Sequence, residues 1–136
     1  MTANSGHQLA RDFFAAVASG HLPEDLVTPD MTASTLTTGD SDRERFAGGI
    51  KMRAALVSGE HGYDVLSLTA EDDRVAAEVT SDWALINGER ARNRHVFIFH
   101  LRDGRIASVA EYMDPAVPRE IIGPLIQQTL AARAKQ

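Results

Sequence analysis

Cysteine is absent from this chain of 136 residues. Its absence excludes a disulfide-stabilised scaffold, a thiol nucleophile and a zinc site built from thiolates. The sequence also has no apolar run near the ~20 residues that a membrane-spanning helix needs, so we expect no membrane partner. Its first residues lack a basic stretch followed by an apolar one, which argues against a signal peptide. We therefore expect a cytoplasmic protein.

Basic residues are outnumbered: 14 Lys and Arg against 19 Asp and Glu give a formal net charge of −5 at pH 7. This balance disfavours a nucleic-acid partner. The five histidines show no His-x-x-x-His spacing, so we expect no metal site, and no glycine-rich phosphate loop or other motif implies a cofactor. Hydrophobic residues make up 43% and charged residues 24%, which is typical of a globular protein. We expect one domain over residues 1–136.

Hydrophobic periodicity predicts helices first and mostly strands afterwards. The predicted helices span residues 5–19, residues 23–27, a segment that opens with the capping-box pattern Ser41–Glu44 and ends near Gly59, and a terminal segment from Ile122. The predicted strands span residues 32–38, 63–69, 75–86, 90–102 and 106–113. This order predicts an α+β fold, a curved and largely antiparallel sheet with helices on one face.

The stretch around Asp103-Gly104 is the most informative part of the sequence. An Asp-Gly pair between two runs of strand formers predicts a tight hairpin. The second strand of that hairpin carries one carboxylate, Glu111, among Val109, Tyr112 and Met113. A carboxylate in the middle of a strand is costly to bury unless it is paired or used, so Glu111 is the first candidate for chemistry.

The strand over residues 90–102 has two phases. The phase that contains Asn93, His95 and Phe97 is the more apolar and should face the helices. The opposite phase is also apolar at its centre, at Val96 and Ile98. A sheet that is apolar on both faces, with helices for one of them, implies a partner on the other. We therefore expect a homodimer through the outer face of the sheet.

The strand over residues 75–86 is ambiguous. Hydrophobic pattern favours the phase of Val75 and Trp83 as the inner one. The opposite phase holds Glu78 and Asp82, which are secondary site candidates if that phase faces inward. The pattern leaves the two alternatives open, although a solvated face suits Glu78 better.

The chain resembles the cone-shaped α+β family that includes nuclear transport factor 2, ketosteroid isomerase and the SnoaL-like polyketide cyclases. The segments that carry the resemblance are residues 13–20, 99–106 and 111–114. The resemblance implies a cone-shaped, curved, mixed sheet with N-terminal helices on its concave face. It also implies a ligand pocket between sheet and helices, and dimers through the sheet.

Within that family the chain looks most like the small phenazine-biosynthesis A/B proteins. Their catalytic glutamate falls on Glu111, but their catalytic histidine falls where this chain has Gly48, Gly49 and Ile50. The tyrosine of ketosteroid isomerase falls on Phe13, and its two aspartates fall near Thr35 and Phe97.

The epoxide hydrolases of limonene type are a further resemblance. Their Arg-x-Asp pair falls on Glu78 and Thr80, and their second aspartate falls on Glu111. This likeness favours an arrangement in which Glu78 and the residues in phase with it face the helices, whereas the hydrophobic pattern favours the opposite phase.

The candidate catalytic residues are Glu111 as proton shuttle, with His95 or Asn93 polarising or orienting a substrate. We expect pocket-lining side chains at Phe13, Phe14, Ile50, Trp83, Phe97, Val109 and Met113. The predicted function is cofactor-independent acid/base proton transfer, by an isomerase or cyclase, on a hydrophobic carbonyl-bearing or aromatic molecule. The alternative is a non-catalytic module that binds a small ligand or another protein.

Overall fold

The computed structural model describes residues 3–59 and 61–135. It contains the strands and helices β1 (Val27–Thr35), β2 (Gly39–Asp42), β3 (Asp64–Glu71), β4 (Arg74–Ala84), β5 (Arg90–Arg102), β6 (Arg105–Met113), α1 (Ala3–Ser19), α2 (Arg43–Leu56) and α3 (Gly123–Ala134). A π-helical turn, Pro118–Ile122, leads into α3.

The strands form one six-stranded sheet in the order β2-β1-β6-β5-β4-β3. Strand β1 runs parallel to β6, and the other neighbouring pairs are antiparallel. Helix α1 packs against β3 and β4, and α2 packs against β1 and β2. The prediction of an α+β fold with a mixed sheet and helices packed on it is confirmed.

The hairpin of β5 and β6 fixes the register of the candidate site. Asp103 and Gly104 both have positive φ, 54° and 74°, which is the conformation of a type I′ turn. Pairing then places Glu111 opposite Phe97, and Met113 opposite His95. The predicted bounds of β5, residues 90–102, match the observed strand.

The inner face of β4 is the one that the hydrophobic pattern favours. Its residues Val75, Val79 and Trp83 are all buried, and Ser81 lies among them. Glu78 and Asp82 are on the opposite, exposed face. The inner placement that the epoxide-hydrolase likeness favours is therefore wrong, because the buried phase of β4 packs into the main hydrophobic core.

In the N-terminal half, one predicted helix is absent and one predicted strand has different bounds. Residues 24–26 form a turn instead of a helix, and β1 already begins at Val27. Pairing with β6 explains the difference: Val27 lies opposite Ile106, and the Ile106 N–H donates to the Leu26 carbonyl at 3.0 Å. The strand predicted over residues 32–38 stops at Thr35, since its hydroxyl accepts the Thr38 backbone N–H at 3.0 Å and turns the chain.

Helix α2 differs from its prediction at both ends. Asp42 caps it instead of Ser41, because the Asp42 carboxylate accepts the Arg45 backbone N–H at 2.8 Å. The helix stops at Leu56, before the predicted end near Gly59, because Val57 pairs with Leu85 in an isolated β-bridge. This bridge ties the end of α2 to the sheet.

The outer face of the sheet carries apolar side chains that remain exposed. Leu66, Val96 and Tyr112 are 57%, 38% and 50% exposed, and Val96 lies directly opposite Tyr112.

Across residues 3–59 and 61–135, every helix falls short of the length and apolar character needed to cross a bilayer.

Candidate functional site

A cavity of about 270 Å³ lies between the two N-terminal helices and the sheet. Helices α1 and α2 and strands β1 and β5 supply its apolar walls. The apolar side chains in these walls are Phe13, Val17, Ala33, Phe46, Ile50 and Phe97. The polar lining residues include Arg45, Arg53, Tyr63 and Glu111. We call this space the larger cavity.

A second cavity of about 130 Å³ adjoins it, and we call it the smaller cavity. Strands β4, β5 and β6 line it together with the π-helical turn. Three residues, Arg53, Tyr63 and Glu111, line both cavities. They therefore form the boundary between the two spaces, and a ligand in either cavity meets them.

Glu111 belongs to a chain of hydrogen bonds that runs across three strands. Its Oε2 atom lies 2.7 Å from His95 Nδ1, and His95 Nε2 lies 2.8 Å from Ser81 Oγ. The side chains of His95 and Glu111 are 6% and 17% exposed, and Ser81 is buried. An ionised carboxylate only accepts hydrogen bonds, so a neutral His95 donates from Nδ1 and accepts the Ser81 hydroxyl at Nε2. The chain thus fixes the tautomer of the imidazole.

Arg53 and Tyr63 form the other half of the boundary. Arg53 Nη1 donates to the Tyr63 hydroxyl at 2.7 Å, and Nη2 donates to the Val17 carbonyl at 3.2 Å. The guanidinium carbon lies 4.7 Å from the centre of the Trp83 ring and 5.4 Å from that of Tyr63. Such cation–π contacts and hydrogen bonds hold the guanidinium in one orientation.

Burial raises the pKa of the Tyr63 hydroxyl well above its ordinary value of 10.0, and the nearby Glu111 charge raises it further against the opposing effect of Arg53. Tyr63 therefore stays a neutral phenol at physiological pH. Its oxygen already accepts a hydrogen bond from Arg53, and the described residues offer no acceptor for its own proton. Tyr63 is thus a hydrogen-bond donor available to a ligand.

Asn93 lines the smaller cavity, but its side-chain amide already forms hydrogen bonds within the protein. Its Nδ2 donates to the Asp114 carbonyl at 3.1 Å, while its Oδ1 accepts the backbone N–H groups of Arg94 and Asp114. Asn93 therefore links β5 to the residue that follows β6.

The structure separates the remaining expected site residues into three groups. Phe13, Ile50 and Phe97 line the larger cavity, while Trp83 and Met113 line the smaller one. Phe14 and Val109 are in the hydrophobic core and line neither of these cavities.

Asp82 lies away from both cavities, on the exposed side of β4. It pairs there with Arg90 at 2.9 Å and with Arg92 at 3.3 Å. These arginine partners lower the pKa of the Asp82 carboxyl. Asp82 is thus part of an exposed ion-pair cluster on the outer face, so the inward placement that would make it a secondary site residue is wrong.

Sequence reasoning did not single out Ser81, Arg53 or Tyr63 as site residues. Ser81 carries a signal, because it is the lone hydroxyl in a phase that otherwise reads as buried apolar residues. Arg53 carries one too, since it follows Phe46 and Ile50 on one helical stripe at spacings of four and three residues. Tyr63 precedes β3 and has no comparable pattern.

Among residues 3–59 and 61–135, no group of three or more histidine or acidic side chains is arranged to hold a metal ion. The polar groups at the cavity boundary are two hydrogen-bond donors, Arg53 and Tyr63, and one acid, Glu111. This set can bind and polarise an oxygen atom and can move a proton.

A protein-family model described as the SnoaL-like domain matches residues 10–109 of this chain. A search of curated proteins found none that matches.

Solved structures share the fold at low sequence identity. TsrD from Streptomyces laurentii has a TM-score of 0.73 at 22% identity, covering 88% of this chain and 96% of its own. IdmH from Streptomyces antibioticus, provisionally described as a polyketide cyclase, has a TM-score of 0.72 at 18% identity, covering 86% and 97%. An NTF2-like protein from Anabaena variabilis ATCC 29413 has a TM-score of 0.72 at 20% identity, covering 82% and 87%.

Proposed function

Because the chain belongs to the SnoaL-like domain family, we propose that it is a small-molecule enzyme which moves a proton without a cofactor. The reaction class is isomerisation or cyclisation of a hydrophobic carbonyl-bearing or aromatic ligand held between sheet and helices. One observation carries the proposal. Glu111 lies at the boundary of two adjoining cavities, with His95 hydrogen-bonded to its Oε2 atom.

Glu111 is the general base in this proposal. His95 holds its Oε2 atom, and Oε1, which has no hydrogen-bond partner among residues 3–59 and 61–135, accepts a carbon-bound proton next to a ligand carbonyl. The Glu111 side chain is only 17% exposed, and its limited contact with water strengthens electrostatic interactions with the carboxylate. Glu111 then returns the proton at another carbon. Alternatively, the carbanion attacks a second carbonyl and closes a ring, and Glu111 delivers the proton to the resulting alkoxide.

Tyr63 and Arg53 stabilise the negative charge that develops on the carbonyl oxygen. The neutral Tyr63 phenol donates its free proton to that oxygen, and Arg53 strengthens this donor through its own hydrogen bond to the phenol oxygen. Asn93 acts as a positioning residue, because its side chain fixes the backbone of Asp114 just after Met113.

The relatives support the same reaction class. IdmH is provisionally a polyketide cyclase, and this chain shares its fold over 86% of its length. The likeness to the phenazine-biosynthesis proteins stays a prediction, since Gly49 lines the larger cavity where their catalytic histidine falls.

The missing histidine favours a second candidate function, a binding module without turnover. A Cβ atom added at Gly49 would meet nothing within 4 Å. This part of the cavity is therefore empty where the phenazine-biosynthesis proteins have a catalytic side chain. Glu111 separates the two candidates, because turnover requires its carboxylate and binding of a neutral ligand does not.

We test the proposal with 2-tetralone, a bicyclic ketone with enolisable protons. Exchange of those protons for deuterium in D₂O, followed by NMR, measures the first half of the reaction. We expect the protein to accelerate exchange, and Glu111→Gln to lower the accelerated rate by about 10²-fold or more, which is the usual contribution of a general base. Glu111→Gln is closely matched to the wild-type protein, since it keeps the shape of the side chain and an oxygen that accepts from His95 Nδ1 but lacks the basic carboxylate.

Equal exchange rates for the two proteins would contradict the proposal and favour the binding module, provided that both bind 2-tetralone equally.

We also propose that the protein works in the cytoplasm as a homodimer. The exposed apolar side chains of Leu66, Val96 and Tyr112 support a dimer through the outer face of the sheet.

A further inference from the structure

We infer that the cavity boundary is an anion-binding site, with Arg53 as its main donor, for the carboxylate of an apolar ligand. The inference deepens the proposed function and rests on it, because it names the substrate class of the same cavity. An apolar carboxylic acid, one or two rings in size, is the chemistry that the described residues fit.

The first argument is that Arg53 has unused donors. Within residues 3–59 and 61–135, no ion pair involves Arg53, and its two hydrogen-bond acceptors are the neutral Tyr63 hydroxyl and Val17 carbonyl. A guanidinium carries five N–H donors, so most of them remain unused. The Nε atom is buried without a partner. Because Nε has almost no accessible surface, a ligand in the cavity would bind the remaining N–H groups of Nη1 and Nη2.

The second argument is that the guanidinium is held in place before any ligand arrives. Trp83 and Tyr63 pack against it, and hydrogen bonds to Tyr63 and Val17 fix its plane. A fixed, planar guanidinium matches the two oxygens of a carboxylate. Holding the donor in advance lowers the entropic cost of binding.

The third argument is the balance of charge around the larger cavity. Arg45 and Arg53 line it with positive charge, and Glu111 is the acid that opposes them there. This is a local excess of positive charge in a chain whose formal net charge is −5. A bound carboxylate would neutralise that excess. The Tyr63 phenol proton, which has no acceptor among the described residues, adds a further donor at the same place.

The fourth argument is the shape of the ligand body. Phe13, Phe46 and Phe97 line the same cavity, and the Phe13 and Phe46 rings stack with their centres 6.0 Å apart. An aromatic or alicyclic ring system fits beside such side chains. The volume of about 270 Å³ suits a small ligand and not a long chain.

The test compares two probes of one shape, 2-naphthoate and 2-naphthamide, which differ in charge. Isothermal titration calorimetry at low salt measures the affinity of each. We expect the wild-type protein to bind the carboxylate about ten-fold or more tightly than the amide, as a charge-assisted hydrogen bond predicts. Arg53→Met keeps the length and apolar packing of the side chain, and we expect it to abolish this preference.

Two further variants sharpen the test. Arg45→Met removes the exposed arginine of the same cavity, and we expect the preference to fall much less than in Arg53→Met, since solvent screens Arg45. Glu111→Gln removes the acid that opposes the ligand, so it should tighten 2-naphthoate binding while it abolishes proton exchange. If the proposed function is wrong, Glu111→Gln will not change proton exchange, but it will still tighten 2-naphthoate binding.

Equal affinities of the wild-type protein for the two probes would overturn the inference, as would no measurable binding of 2-naphthoate at about 1 mM. A carboxylate preference that survives Arg53→Met would also overturn it. Should circular dichroism show that Arg53→Met does not fold, Arg53→Gln takes its place with the same expected result.

Discussion

His95 Nδ1 lies 2.7 Å from Glu111 Oε2, although the two residues are not paired in the sheet. Glu111 lies opposite Phe97 and His95 lies opposite Met113, so the imidazole and the carboxylate are diagonal neighbours on one face. Diagonal neighbours on adjacent strands are within reach when one side chain is long. The β5–β6 register therefore creates the dyad, and a one-residue slip would send Glu111 to the outer face.

Tyr63→Phe tests the donor role of the phenol. The substitution removes the hydroxyl that would face the ligand carbonyl, and Arg53 Nη1 loses its acceptor. We expect deuterium exchange of 2-tetralone to fall by about 10²-fold, the usual cost of losing one donor to a developing oxyanion. Affinity for 2-naphthamide should change little in comparison. An unchanged exchange rate in Tyr63→Phe would remove Tyr63 from the mechanism.

Ser81 offers a matched pair of variants. Threonine keeps the hydroxyl, whereas valine has the same shape without it. We expect Ser81→Val to lower the free energy of unfolding by about 1–3 kcal/mol more than Ser81→Thr, because it leaves the buried His95 Nε2 without its partner. Urea denaturation measures this difference, and ¹⁵N NMR of His95 reports whether the Nδ1–H tautomer is lost in Ser81→Val alone. Equal stability and equal ¹⁵N shifts would show that the Ser81 hydrogen bond does not fix the imidazole.

Tyr63 also predicts how stability depends on alkaline pH. Its pKa is raised above 10.0 in the folded protein, so the folded state keeps the phenol proton where the unfolded state releases it. The stabilising contribution is complete below pH 10 and declines as pH rises above that value, by up to about 1.4 kcal/mol per pH unit. We expect the free energy of unfolding to fall more steeply between pH 9.5 and about 11 in wild type than in Tyr63→Phe. Parallel pH profiles would contradict the burial of this phenol.

The proposed dimer predicts a change of mass. Lysine at Val96 or Tyr112 would place a charge in the centre of the apolar outer face. Because burying an unpaired charge is costly, we expect Val96→Lys and Tyr112→Lys to be monomers at micromolar concentration. Light scattering measures the mass of each variant, and Gln8→Lys serves as a charge control at an exposed position of α1, away from the outer face of the sheet. A wild-type protein that is itself monomeric would refute the dimer.

Much of the fold follows from local patterns in the sequence. Alternation of side chains defines both ends of β5, and the Asp103-Gly104 pair defines the hairpin that brings Glu111 beside His95. These features are local and strongly periodic, which is why they can be read from the sequence. Pro23–Val27 shows the limit: its helical pattern is overridden by pairing of Val27 with Ile106, far away in the chain.

Of the polar groups of the candidate site, the sequence predicted those that lie on one hairpin. Glu111 and His95 belong to neighbouring strands, so register places them together. Arg53 and Tyr63 come from a helix and from a segment before β3, and only tertiary packing brings them to the same cavity boundary. The spacing of Arg53 on its helix indicated an inward cation, but nothing in the sequence indicated its phenol partner.

Trp83 is the single tryptophan of the chain, and its ring lies 4.7 Å from the Arg53 guanidinium carbon. Any ligand that draws the guanidinium toward itself changes the charge beside the indole, and with it the wavelength and intensity of tryptophan emission. The protein thus carries an intrinsic fluorescent reporter at the boundary of its two cavities. Unlabelled protein and a fluorimeter suffice to screen a library of small acids for the natural ligand.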